Sequence, residues 1–213
     1  MKKKIVMMAI MCFLLCGCTN IKNLNYDQII NTFDGKKSHI NVYRTGYKYS
    51  LPRTMQVQSF KLFNEVLTSN KATFYLYVDA VSYYNKTNNE LKNDTNSNYF
   101  KTFSYNDKQG CIRINKKENN KYLIEIIYNY AKIEVMVEED DINESMLYAI
   151  EILKNISYND SVIANLLGSN VLTYKEEDYN IFNTTSSDSN YLDYDSEYKW
   201  TDETEIYDSD LIN

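Results

Sequence analysis

The chain has 213 residues, with 23 basic against 29 acidic side chains (a formal net charge of −6), and one His, one Pro, one Trp and five Gly against 21 Tyr. The acidic balance argues against general nucleic-acid binding, and a single His excludes schemes that need two, HExxH zinc hydrolysis and the usual zinc-finger ligand sets among them. Five scattered Gly leave no glycine-rich phosphate loop, since the one Gly-Lys pair, Gly35-Lys36, is followed by Lys37 and Ile30 stands where a P-loop needs its first Gly.

The chain opens with three lysines, Lys2 to Lys4, and an apolar run from Ile5 to Leu15. That run is too short to cross a ~30 Å hydrocarbon core as a helix. It ends in Leu15-Cys16-Gly17-Cys18, which resembles the lipobox of bacterial lipoproteins. The resemblance implies that Cys18 takes a diacylglyceryl thioether and that signal peptidase II cuts before it. Residues 1–17 would then be a signal peptide, and 18–24 a lipidated Cys with a short tether. It further implies acylation of the new amino group. Two or three acyl chains anchor stably where one does not. The protein is thus expected at the outer face of a bacterial cell membrane. The abundance of Asn, Lys, Ile and Tyr matches the output of an AT-rich genome, as in low-GC Gram-positive bacteria.

Removal of Cys12 and Cys16 and lipidation of Cys18 leave Cys111 alone, so no intramolecular disulfide is expected. A lone Cys in a Tyr- and Ile-rich strand reads as a small buried hydrophobe, with a nucleophile as the sharper alternative.

After the tether, Asn25 can cap a short helix over about 26–33 that ends at Gly35. Two extended stretches follow, 39–44 and 47–51, turning at Thr45-Gly46 and closed by Pro52. Residues 55–68 are ambiguous and lean towards strand. Residues 71–84 read as one long strand. Its even positions are apolar, and its odd positions carry Tyr75, Tyr77, Asp79 and Tyr83. A polar loop, 85–98, leads to strands at 99–105, 111–116, 122–128 and 132–138, whose short separators predict an antiparallel meander. Asp141 or Asn143 then caps a helix with Met146, Leu147, Ile150, Leu153 and Ile156 at helical spacing. Asp160 caps a last short helix that ends at Gly168.

This order predicts one α+β domain over residues 25–170: an antiparallel sheet of five to seven strands with helices packed on it, a short N-terminal helix and a C-terminal helix. It resembles the PsbP-like α/β/α sandwich over residues ~26–168. The resemblance is carried by Gly46-Tyr47-Lys48-Tyr49-Ser50-Leu51-Pro52, the central meander and a helix ending Ile152-Leu153-Lys154-Asn155-Ile156. It implies a small binding or assembly factor, mostly without catalysis in that family.

Residues 174–213 hold twelve acidic and two basic side chains. With the three signal lysines set aside, 18 basic and 17 acidic side chains remain for the rest, so the body is neutral and the acidity belongs to the tail. Acidic residues interleaved with aromatics such as Tyr191, Tyr194, Tyr198 and Trp200 mark a tail expected to be disordered on its own. The tail admits three readings: a solubilising extension, a segment that folds back on the body, or a docking element for a partner.

Sharper chemistry finds little support. Asp193, Asp195 and Glu197 are spaced like the start of an EF-hand loop, but Tyr198 and Thr204 stand where Gly and Glu are needed, and no metal or other cofactor is expected. Any nucleophile–imidazole scheme must use His39, placed at a surface turn. The expected role is a non-enzymatic accessory or protein-binding lipoprotein, held to the membrane at Cys18, with a protein or envelope partner. The alternative is a small-molecule or sugar-binding lipoprotein using a tyrosine face of Tyr75, Tyr77, Asp79 and Tyr83. Catalysis ranks third.

Overall fold

The computed structural model describes residues 21–87 and 97–168. The lipobox, the polar segment 88–96 and the acidic stretch 174–213 lie outside the described residues.

Asn25 starts helix α1 (Tyr26–Ile30) with a capping box. Its side chain accepts from the Gln28 amide, and the Gln28 side chain accepts from the Asn25 amide. A 3₁₀ turn, Asn31–Asp34, extends it, and Ile29, Ile30 and Phe33 are buried. Strands β1 (Val42–Arg44) and β2 (Tyr47–Tyr49) pair across Thr45-Gly46. Gly46 has φ +87°, and a Cβ there would meet the Ile163 side chain at 3.1 Å, so the turn needs both the left-handed backbone and the missing side chain.

The ambiguous stretch is a hairpin, β3 (Gln56–Lys61) and β4 (Asn64–Thr68), with a register shift between Val57 and Ser59. Strand β5 covers Thr73–Val78 only, six residues of the fourteen expected, and helix α2 (Ala80–Asn85) takes over. From Tyr99 the chain forms a meander, β6 (Tyr99–Tyr105), β7 (Lys108–Lys116), β8 (Lys121–Tyr128) and β9 (Ala131–Glu138). Helix α3 (Ile142–Lys154), a short strand β10 (Ser157–Tyr158) and helix α4 (Asp160–Gly168) complete it.

Seven strands form one antiparallel sheet in the order β3-β4-β5-β9-β8-β7-β6. It is two consecutive meanders joined where β9 pairs with β5, Phe74 opposite Val135 and Leu76 opposite Ile133. A second, three-stranded sheet has the order β1-β2-β10. The α+β class is therefore as expected, with β10 and the second sheet added. The tight turns of the meander place Asn106-Asp107 and Asn129-Tyr130 at φ between 50° and 61°, the left-handed pairs that match the twist of adjoining strands.

Period-two alternation sends Leu67, Phe74, Leu76, Ile133, Val135, Ile124, Ile126, Ile112 and Ile114 to one face, where α3 packs on β8 and β9 and α1 packs on α3 within the same buried cluster. Helix α3 contributes Ile142, Met146, Ala149, Ile150 and Leu153. Neither expected side-chain cap of α3 forms. The Asp141 carboxylate is ion-paired with Lys71 at 2.9 Å, and Asn143 is used elsewhere.

Candidate functional site

The proposed tyrosine face does not survive as one surface. Tyr75 and Tyr77 are half-buried on the same side of β5, but the strand ends before the other two. Asp79 is buried and caps α2: its carboxylate accepts from the Ser82 amide at 2.8 Å, and its own amide donates to the Tyr130 carbonyl at 2.8 Å. A buried carboxylate needs donors, and the first turn of a helix supplies them where a strand cannot. Tyr83 therefore sits on a helix. Its ring stacks on Tyr158 with centroids 3.9 Å apart, lies edge-on to Tyr130 and carries Lys86 Nζ 3.8 Å above it. Its hydroxyl donates to Asp160 at 2.5 Å. Burial, and secondarily this bond, push the phenol up to about 12. Asp160 is thus Tyr83's acceptor, and the side chain capping α4 is Asn159, which accepts from the Val162 amide.

The side of the sheet that carries Tyr75 and Tyr77 also carries a ladder of charges. Tyr75 is opposite Glu134, Glu134 opposite Glu125, and Glu125 opposite Arg113; Tyr77 is opposite Lys132. Arg113 grips Glu125 bidentately, at 2.6 and 2.8 Å, and Lys132 pairs with Glu134 and lies 3.7 Å from Glu125. Glu125, Lys132 and Glu134 are buried, so this is a matched set whose members hold one another in register across three strands.

A second polar knot lies on the core side. Glu65, at 3 % exposure, accepts from Tyr47 at 2.7 Å, Tyr49 at 2.8 Å and Arg44 at 2.8 Å. It fastens the small sheet to the large one. Burial first, and then the adjacent Glu65 charge, raise both phenols far above the usual tyrosine range. Arg44 in turn lies 4.3 Å over the ring of Phe60. Beyond it the apolar surface is open: Phe60 is 52 % exposed and Leu62 41 %, on the β3–β4 hairpin. β3 is the end strand of the large sheet and is exposed along nearly its whole length.

At the opposite end of the sheet lie the first described residues. Ile21–Asn23 form a 3₁₀ turn, and Asn143, in the first turn of α3, donates its side-chain amide to the carbonyls of Leu24 at 2.8 Å and Ile21 at 3.0 Å. Lys22 adds an exposed pair with Asp140 at 3.4 Å. An open cleft of about 420 Å³ lies here, lined by Lys22, Leu24, Tyr26, Glu139, Asp140 and Asn143 among others.

His39 is exposed and Cys111 is buried outside any disulfide, as expected of a surface imidazole and a small buried hydrophobe. Cys18 and the Asp193–Glu197 triplet lie outside the described residues. The sequence offers Asn143 only as a candidate cap of α3, not as a clamp on residues 21–24, and does not single out Glu65. A glutamate in an alternating strand hints at Glu65, and nothing local marks the clamp. Comparison with protein-family models and with curated proteins finds no match to this chain.

Proposed function

We propose that this protein is a lipoprotein anchored through Cys18 at the outer face of a bacterial membrane, where it acts as a protein-binding accessory module without catalysis of its own. The lipobox, Leu15-Cys16-Gly17-Cys18 behind a basic start and a short apolar run, carries the reading. The open edge at β3 supports the binding role. An exposed strand edge accepts an added strand through its backbone, while neighbouring apolar side chains select the sequence. Phe60 and Leu62 stand in that position, with Arg44 holding the Phe60 ring from behind.

Replacing Cys18 with Ala should move the protein from the membrane fraction to the medium or leave an uncut precursor. A variant that stays membrane-bound at its mature size removes the lipid anchor from the reading. A photo-crosslinking residue at position 60 should capture a partner in intact cells that one at Asn70, at the other end of the sheet, does not. Equal capture at both positions removes the role of the hairpin.

A further inference from the structure

The tether between the proposed anchor and the fold is shorter than the sequence suggests, and it enters at a defined place. As a chain, residues 19–24 look free to extend about 20 Å. In the fold, the turn at Ile21–Asn23 is closed by the Leu24 amide donating to the Ile21 carbonyl at 3.2 Å. The Asn143 amide then holds the Leu24 and Ile21 carbonyls against α3. Three backbone steps separate Cys18 from Ile21, a reach of at most about 11 Å.

On the reading of Cys18 as the lipid anchor, we propose that one end of the domain rests against the outer leaflet of the bilayer, and that Asn143 is the positioning residue that sets this orientation. The membrane-facing end comprises the 21–24 turn, the start of α3, the β4–β5 turn (69–72) and the β7–β8 connection (117–120). These belong together by register. Lys121 is opposite Glu138 at the end of β9, and Lys71, in the β4–β5 turn, is ion-paired to Asp141 and Glu144 at the start of α3.

The charges at this end are mixed, with Lys22, Lys71, Lys117 and Lys121 among Glu118, Glu138, Glu139, Asp140, Asp141 and Glu144. Headgroup charge therefore adds no net attraction, and proximity comes from the covalent tether alone. The eight-residue strands β8 and β9 give the sheet a length of about 26 Å. The opposite turns, including the Leu62-Phe63 hairpin, thus stand beyond the reach of the tether and face outward with the exposed Phe60 and Leu62.

The test uses the mature chain from Cys18 to Asn213 with C111A, so that Cys18 is its single thiol. It is coupled at Cys18 to a maleimide lipid and inserted into phosphatidylcholine vesicles, with or without phosphatidylglycerol. A donor dye is attached through an azide-bearing residue at Asn70, on the proposed membrane side, or at Gln109, on the far side. Energy transfer to an acceptor on the lipid headgroups should be several-fold stronger from position 70 than from 109, and equal in the two lipid mixtures. Equal transfer from both positions, or stronger transfer from 109, overturns the proposal.

N143A, or N143D, which cannot donate, should bring the two positions towards equal transfer by freeing residues 21–24. An unchanged difference in both variants removes Asn143 from the role. Because the lipid is attached chemically, this outcome is independent of whether cells lipidate Cys18, which the mass of the N-terminal peptide from the native membrane fraction reports separately.

Discussion

Glu65 shows how one side chain can join two sheets. Its carboxylate is buried and accepts from two phenols and a guanidinium, whose residues lie 16 to 21 positions earlier in the chain. Removal of a buried charge's partner leaves the other charge without compensation, which costs about 3–5 kcal/mol. Glu65→Ala should therefore lower the urea midpoint sharply, whereas Tyr49→Phe, which removes one hydrogen bond to a carboxylate, should cost about 1.5–3 kcal/mol. Equal small losses in both variants would show that the knot does not tie the sheets together.

The tyrosines make a prediction for alkaline pH. Tyr26, Tyr47, Tyr49, Tyr83, Tyr99, Tyr128 and Tyr158 all have phenols raised above the ordinary value, each chiefly by burial. The folded state thus binds their protons more tightly than the unfolded chain. Their contribution is complete below about pH 10, the ordinary tyrosine value, and is lost as pH rises through the higher folded values. Circular dichroism should show cooperative unfolding above about pH 10, with late tyrosinate absorbance rising in the same step. A gradual rise in absorbance with intact secondary structure would contradict this.

At the scale of elements, the four meander strands are where local pattern and fold agree most closely. Their turns put Asn106, Asp107, Asn129 and Tyr130 in the left-handed region, a conformation that Gly adopts without penalty. Asp107→Gly should accordingly stabilise the protein by about 0.5–1 kcal/mol. Three residues on, Gly110 is under the opposite constraint: a Cβ there would lie 2.5 Å from the Phe103 ring and 2.7 Å from the Ile127 carbonyl oxygen. The backbone oxygen cannot move without breaking the β7–β8 ladder, so Gly110→Ala should cost about 1–3 kcal/mol. Thermal melts of the two variants are expected to shift in opposite directions. A rise for both would mean that the β6–β7 hairpin is more loosely packed than its geometry implies.

The elements that read differently share one cause, competition between a local pattern and a partner from elsewhere. Alternation runs on through residues 71–84, yet β5 stops at Val78 because Asp79, buried at 2 % exposure, is satisfied by the first turn of α2 and by the carbonyl of Tyr130. Asp141 precedes α3 but pairs with Lys71, leaving the cap unmade. Tyr75 and Tyr77 keep the face expected of them, while Asp79 and Tyr83 are drawn to the α2–α4 corner.

Across the whole molecule, features that depend on near neighbours are readable from the residues alone. The cap at Asn25, the meander strands, the apolar stripe of α3 and the α+β class all follow from spacings of two to four residues, which act within a single strand or turn. The resemblance of Leu15-Cys16-Gly17-Cys18 to a lipobox is legible for the same reason, as a contiguous run. Tertiary structure decided what depends on residues far apart in the chain. Only the folded chain pairs β9 with β5, seats two tyrosines and an arginine on Glu65, and brings Asn143 to the carbonyl of Leu24 across 119 positions. The reason is physical: a buried polar group takes its donors from whichever element packing brings within 3 Å, and no local pattern records which element that will be.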